Sequence, residues 1–125
     1  MEIDIIGKRI KSVKVINSQE NCKYYERLFL YLDDLVLDVT VDNSNDELIF
    51  KKQNSKYQLE EDLIEPEWSN KLIEGTINSF WECQNNMGYN DLFILGINES
   101  FPTVCIYSIA SQIEIRMINP ININF

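Results

Sequence analysis

Any chemistry done by this chain falls to carboxylates, hydroxyls and three cysteines, because its 125 residues include no histidine. That omission removes a Ser-His-Asp triad, a Cys-His pair and every His-bearing zinc site. Cys22, Cys83 and Cys105 form no CxxC pair. Cys83 and Cys105 fall in apolar strand-like stretches, where a cysteine acts as a small buried hydrophobe. Cys22 sits in a polar loop beside Lys23, and a nucleophile there would still need a base.

Asp42-x-Ser44-x-Asp46 imitates the opening of a calcium loop. Its sixth position is Glu47 instead of glycine and its twelfth is Gln53 instead of glutamate, so it is not one. Asp38 and Asp42 share one strand face but stand roughly 13 Å apart at about 3.3 Å per residue, too far for one ion to bridge. No spacing fixes two carboxylates at glycosidase distance. The acids therefore read as a charged surface, with no catalytic, metal or cofactor site among them.

That surface is uneven. Met1 to Lys23 holds five bases and three acids, whereas Asp33 to Glu67 holds eleven acids and three bases, Lys51, Lys52 and Lys56. One acidic group is Asp33, Asp34, Asp38, Asp42, Asp46 and Glu47; a second is Glu60, Glu61, Asp62, Glu65 and Glu67. A formal net charge of −9 argues against nucleic-acid binding, which needs a basic footprint. It permits a basic protein partner, and it equally fits a solvated face that only keeps the protein soluble. The start, MEIDIIGKRIKSVKV, has no apolar signal core, and nowhere do 18 apolar residues run together. The expectation is a reduced, cytoplasmic protein off the membrane.

The elements that would position these acids are short strands. In Leu35 to Val41, Leu35, Leu37, Val39 and Val41 share one face and Val36, Asp38 and Thr40 the other. That period of two marks a half-buried antiparallel strand. Before it, Glu26 to Leu32 carries Leu28, Leu30 and Leu32 on one face and Phe29 and Tyr31 on the other, as a central strand covered on both sides would. Asp33-Asp34 is the turn between them. Arg9 to Ile16, Leu48 to Lys51, Thr76 to Cys83, Leu92 to Ile97, Thr103 to Tyr107 and a last strand around Ile113, Ile115 and Met117 complete about eight. Ser55 to Gln58 has a capping-box form and Pro66 a helix-start position, so one or two short helices are expected between the strand groups. Ile118 to Phe125 reads as an extended arm.

The halves resemble each other. Ile10-Lys11-Ser12 matches Ile77-Asn78-Ser79, Tyr25 matches Tyr89, Leu28-Phe29-Leu30 matches Leu92-Phe93-Ile94, and Ser44 to Glu47 matches Ser111 to Glu114 at both ends. The expected organisation is one domain, 1–125, of α+β, mainly β class. Two four-stranded units, 7–51 and 75–117, are joined by a linker, 52–74, and form a curled sheet, barrel or sandwich.

The second half, with Gly88-Tyr89-Asn90-Asp91 before an apolar strand and Ile109-Ala110-Ser111-Gln112-Ile113-Glu114-Ile115 after it, resembles a pattern in small bacterial proteins. Some of these are immunity partners in toxin–immunity systems, including contact-dependent growth inhibition. The similarity covers roughly the last third of the chain. It implies a non-enzymatic inhibitor of a cognate toxin, and carries no functional residues across. Combined with the charge, it gives a protein that caps a basic toxin, such as a nuclease, through Asp33, Asp34, Asp38, Asp42, Glu60, Glu61 and Asp62, with Tyr57 and Trp68 as nearby anchors. The alternative is a scaffold whose symmetric halves self-associate as a homodimer. A third reading places Tyr24, Tyr25, Tyr89 and Trp81 around a small-ligand pocket.

Overall fold

The computed structural model describes residues 4–18, 24–54 and 63–118. Eight strands follow in order: β1 Ile10–Asn17, β2 Tyr25–Leu32, β3 Leu35–Asp42, β4 Glu47–Asn54, β5 Ile77–Gln84, β6 Asn90–Ile97, β7 Val104–Ile109 and β8 Gln112–Met117. They form one antiparallel sheet ordered β4-β3-β2-β8-β7-β6-β5, with β1 on β2, curled into a half-barrel. The protein is mainly β, as the alternation of its apolar residues requires. β2 is central as its two apolar faces demand: it pairs with β1 along its length, with β3 from Leu28 to Tyr31, and with β8 through Tyr25↔Ile113.

The core lies inside the curl. Leu28, Leu30 and Leu32 from β2, Leu37 and Val39 from β3, and Phe93, Leu95 and Ile97 from β6 are buried there together. Phe93 joins the halves: its ring lies 4.6 Å from that of Phe50 on β4 and 5.6 Å from that of Phe80 on β5. Each such aromatic pair contributes about 0.5–1.5 kcal/mol beyond the area it buries.

The halves repeat the same ladder. Ile10↔Leu32 has its counterpart in Ile77↔Ile97, and a bulge follows each at Ile10/Ser12 and Ile77/Ser79. A second pair of bulges sits at Ile16/Asn17 and Cys83/Gln84, and leaves Glu26 and Asp91 out of register. This places Leu28 opposite in role to Phe93, one residue later than the expected match with Leu92. A slip of one residue swaps the faces of a strand, so Leu92 points outward and Phe93 inward. The Ser44–Glu47 match with Ser111–Glu114 moves likewise: Glu47 pairs with Asp42 and Gln112 with Ile109, so Glu47 and Gln112 are the equivalent residues. The cause is unequal turns, four residues (43–46) in one hairpin and two (Ala110–Ser111) in the other.

A short seam joins the starts of β1 and β5 through the bridge Arg9↔Thr76. Gly7 N–H donates to Ile77 O at 2.7 Å and Glu74 N–H to Ile10 O at 2.7 Å; Ile10 N–H donates to Gly75 O and Ile77 N–H to Lys8 O, both at 2.9 Å. Under the exchange of halves these bonds map onto one another in pairs. Even the side-chain caps repeat: Asp33 Oδ2 accepts from Arg9 N–H and Asn98 Oδ1 from Thr76 N–H.

The linker holds one short helical turn among its described residues, within the one or two expected. Ser55 to Asp62, the body of the first expected helix, lie outside the described residues. Ile64 at its end is extended and bridges Val15. Where the second helix was expected there is one 3-10 turn, Glu67–Lys71, whose N-cap is Pro66 with no side-chain cap. An N-cap with no side-chain acceptor leaves the first N–H groups unmet, and five residues make little more than a turn. Trp68 is half-buried and donates its indole N–H to Tyr25 Oη at 2.8 Å, pinning this turn to the start of β2. β4 runs three residues beyond its expected end, to Asn54.

Gly75 is where the seam is tightest. A Cβ on it would lie 2.5 Å from Ile97 Cγ2 and 2.9 Å from Leu72 O. Gly75→Ala is therefore expected to destabilise the fold by about 1–3 kcal/mol. Urea unfolding at equilibrium checks this; an unchanged midpoint would contradict the packing at the seam.

Candidate functional site

The acids picked out in the sequence do not make one patch. Asp33 and Asp34 occupy the β2–β3 turn beside the seam, where bases answer them. Lys8 Nζ donates to Asp34 Oδ2 at 2.8 Å, and Lys11 Nζ lies 3.8 Å from Asp33 Oδ1. The Lys8 hydrogen bond holds the Asp34 carboxyl below its ordinary range and lifts the ammonium above its own. Asp38 is no docking residue. It is 1% exposed, and its two oxygens accept from Arg27 Nε at 3.0 Å and Nη2 at 2.7 Å. That bidentate pair is what makes burial of the carboxylate tolerable. Asp42 lies at the far end of β3 and accepts from Ser44 Oγ–H and N–H, which lower its pKa. Glu60, Glu61 and Asp62 lie outside the described residues, as does Tyr57.

At Asp42's end, other acids gather. The β3–β4 and β7–β8 hairpin tips meet there. Asp46, in the left-handed region at φ 60°, accepts from Ser111 N–H through Oδ1 at 2.8 Å and from the Ser108 hydroxyl through its carbonyl. Glu47 Oε2 accepts from Asn90 N–H at 3.0 Å, and Asp91 from Asn85 Nδ2 at 3.3 Å. Glu26, on the bulge of β2, is exposed. Among the described residues, none of Glu26, Asp42, Asp46, Glu47 and Asp91 is ion-paired, in contrast to the acids at the seam.

A cleft of about 610 Å³ opens at this end. It exists because the β2–β3 ladder stops at Leu28↔Val39, so the strands splay and the β7–β8 tip spans the fork. Ile16, Thr40 and Val41 line its strand side and Ala110, Ser111 and Gln112 its tip side. Glu26 and Arg27 are its charged lining residues. Gln112 Oε1 is buried and has no hydrogen-bond partner. None of Tyr24, Tyr25, Tyr89 and Trp81 lines this cleft, and Tyr25 is tied to Trp68.

Sequence reasoning passed over Glu26, Arg27, Thr40 and Gln112. The only signal was a polar Glu-Arg pair opening an otherwise apolar strand; the bulge that turns Glu26 out of the ladder leaves no mark in residue types.

The outer faces of the two halves differ. In the first, Arg27 lies 5.1 Å over the Phe29 ring and Lys14 5.2 Å over Tyr31, and Phe29 and Val36 are buried. In the second, Trp81 takes the place of Lys14 and is 37% exposed, with Cys83, Leu92, Ile94 and Cys105 half-buried around it. Tyr107 and Glu114 face each other across β7 and β8. Burial first, then its hydrogen bond to Glu114, pushes the Tyr107 phenol up to about 12, and that bond chiefly holds Glu114 below its ordinary range.

The architecture is that of a mainly-β protein with an open polar cleft and, among the described residues, no group of three or more Cys, Asp or Glu placed to hold a metal. The chain belongs to the family described as "Family of unknown function (DUF6334)", whose model matches residues 1–122. No curated protein and no solved structure matches it. Among the described residues no helix is long and apolar enough to cross a membrane.

Tyr107 gives a pH test. In the unfolded chain a tyrosine ionises near its ordinary value of about 10. Folded Tyr107 keeps its proton to about 12, so stability is lost as pH rises between those values. Tyr107→Phe should lose less stability between pH 9 and pH 11 in urea titrations than the parent; an identical loss would contradict the assignment.

Proposed function

We infer that this protein is a non-enzymatic inhibitor of a basic protein, of the immunity type: it neutralises a cognate toxin in the cytoplasm of the cell that makes both. The observation that carries the reading is the uncompensated acidic end, Glu26, Asp42, Asp46, Glu47 and Asp91 around two joined hairpin tips. The patch is rebuilt from the one expected in sequence: of the earlier candidates among the described residues, Asp42 alone belongs to it. Carboxylates on rigid tips offer a cationic active site what substrate phosphates offer, without a bond to cleave. Such a field speeds capture, and speed matters when a single toxin molecule is harmful.

The test is kinetic. Glu26→Gln, Asp42→Asn and Glu47→Gln together remove three charges and keep the acceptor oxygens that hold Ser44 and Asn90. Against a basic polypeptide found encoded beside this chain, the triple variant should associate about tenfold more slowly at low salt and show a flatter salt dependence, with dissociation little changed. Association unaltered by the three substitutions, or no binding by that polypeptide, would contradict the reading.

A second reading, self-association as a scaffold, is favoured by the outer face of β5–β8, where Trp81 is exposed while its first-half equivalent Lys14 lies over an aromatic ring. On that reading light scattering gives the mass of a dimer, and Trp81→Lys returns it to the monomer. A monomer in the parent protein at about 100 μM would dispose of it.

A further inference from the structure

We propose that the fork cleft is the specificity pocket of the acidic end and that it receives a cationic side chain, arginine or lysine, from the protein partner. This rests on the inhibitor reading above and says where its contact is made.

Charge comes first. Arg27 on its own would repel a cation, but both of its contacts to Asp38 are short, and the buried carboxylate offsets its charge. Glu26 then sets the net charge of the lining. It is aimed there by the bulge that leaves it between Tyr25 and Arg27, the residues paired with Asn17 and Ile16. Its second-half equivalent, Asp91, is instead held by Asn85.

Acceptors come second. Gln112 lines the cleft, and its Oε1 is buried behind that lining as an acceptor with no donor. A buried polar atom left unpaired costs roughly 1–3 kcal/mol, so an N–H that draws the Gln112 amide round toward the cleft regains part of that. A guanidinium brings five N–H donors and no acceptor, an ammonium three. Hydroxyls of Thr40 and Ser111 add further acceptor oxygens.

Shape comes third. Ile16, Val41 and Ala110 supply the apolar part of the wall, as the methylene stem of arginine or lysine requires. About 610 Å³ is within the range of ligand pockets, enough for a side chain and the backbone that carries it. In the second half Leu92 and Tyr107 stand where Arg27 and Thr40 stand in the first, so the same chemistry is not repeated at the equivalent position.

The experiment is NMR on the full ¹⁵N-labelled chain, titrated with N-acetyl-arginine methylamide, its uncharged citrulline isostere, and N-acetyl-glutamate methylamide. The arginine compound should give saturable shifts in the millimolar range at the amides of Arg27, Thr40 and Ser111 and at the Gln112 side chain. The citrulline compound should give none. Glu26→Gln, a substitution at an exposed position, should weaken the arginine compound about fivefold while the spectrum stays dispersed. Equal response to citrulline, a response to the glutamate compound alone, or no saturable shift at these residues would overturn the pocket. A deca-arginine peptide separates this claim from the one beneath it. If the peptide binds and is weakened by Asp42→Asn with Glu47→Gln but is indifferent to Glu26→Gln and Gln112→Leu, the pocket falls and the acidic end stands. If the peptide does not bind at all, both fall.

Discussion

Four backbone hydrogen bonds around the Arg9↔Thr76 bridge decide how the halves of this protein face each other. Because the bonds exchange in pairs between β1 and β5, the sheet is pinned at one end about an approximate twofold axis. The same relation brings the β3–β4 and β7–β8 tips together at the other end. There Asp46 ties them, through Ser108 and Ser111. A curl held at both ends cannot let every ladder run to completion. The β2–β3 ladder is one that gives way, and the opening it leaves is the cleft.

Electrostatics follows the same axis. At the seam, carboxylates meet Lys8, Arg9 and Lys11, and their field is largely spent within the protein. Exposed pairs of this kind are worth roughly 0–1 kcal/mol each, so they do little for stability; their effect is to leave that end without excess charge. At the tips the carboxylates are held by amides and hydroxyls, which fix their positions and leave their charge uncancelled. Among the described residues, uncancelled carboxylate charge thus stands at the tips more than at the seam. A binding protein gains from that asymmetry because an oriented field selects an approach direction as well as a sign.

Much of the scaffold was legible in residue order. Alternating leucines and valines in β2 and β3 name the inner face without ambiguity, and the repeated Ile-x-Ser at Ile10 and Ile77 marks two equivalent strand starts, although not the bulge that each carries. What failed was register past the first loop of each half. Tyr25 and Tyr89 look equivalent, yet a one-residue offset between loops makes Phe93, not Leu92, the partner of Leu28 in role. The site was less legible still. Asp38 reads as a solvated strand residue, and only the fold sets Arg27, eleven positions earlier, where its guanidinium can cover it. Gln112 and Glu26 are ordinary polar residues until a bulge and a hairpin tip place them on one cleft. Charge composition is additive along a sequence; charge compensation depends on pairs distant in the chain, and these sorted the seam acids from the tip acids.

Hydrogen-exchange mass spectrometry of the full chain with and without deca-arginine tests the central claim most directly. Exchange is predicted to slow in the segments spanning Tyr25–Leu28, Thr40–Leu48 and Ser108–Ile113, with the rest of the sheet unchanged. Protection confined to the Asp33–Asp34 turn, or centred on Trp81 in β5, would contradict it.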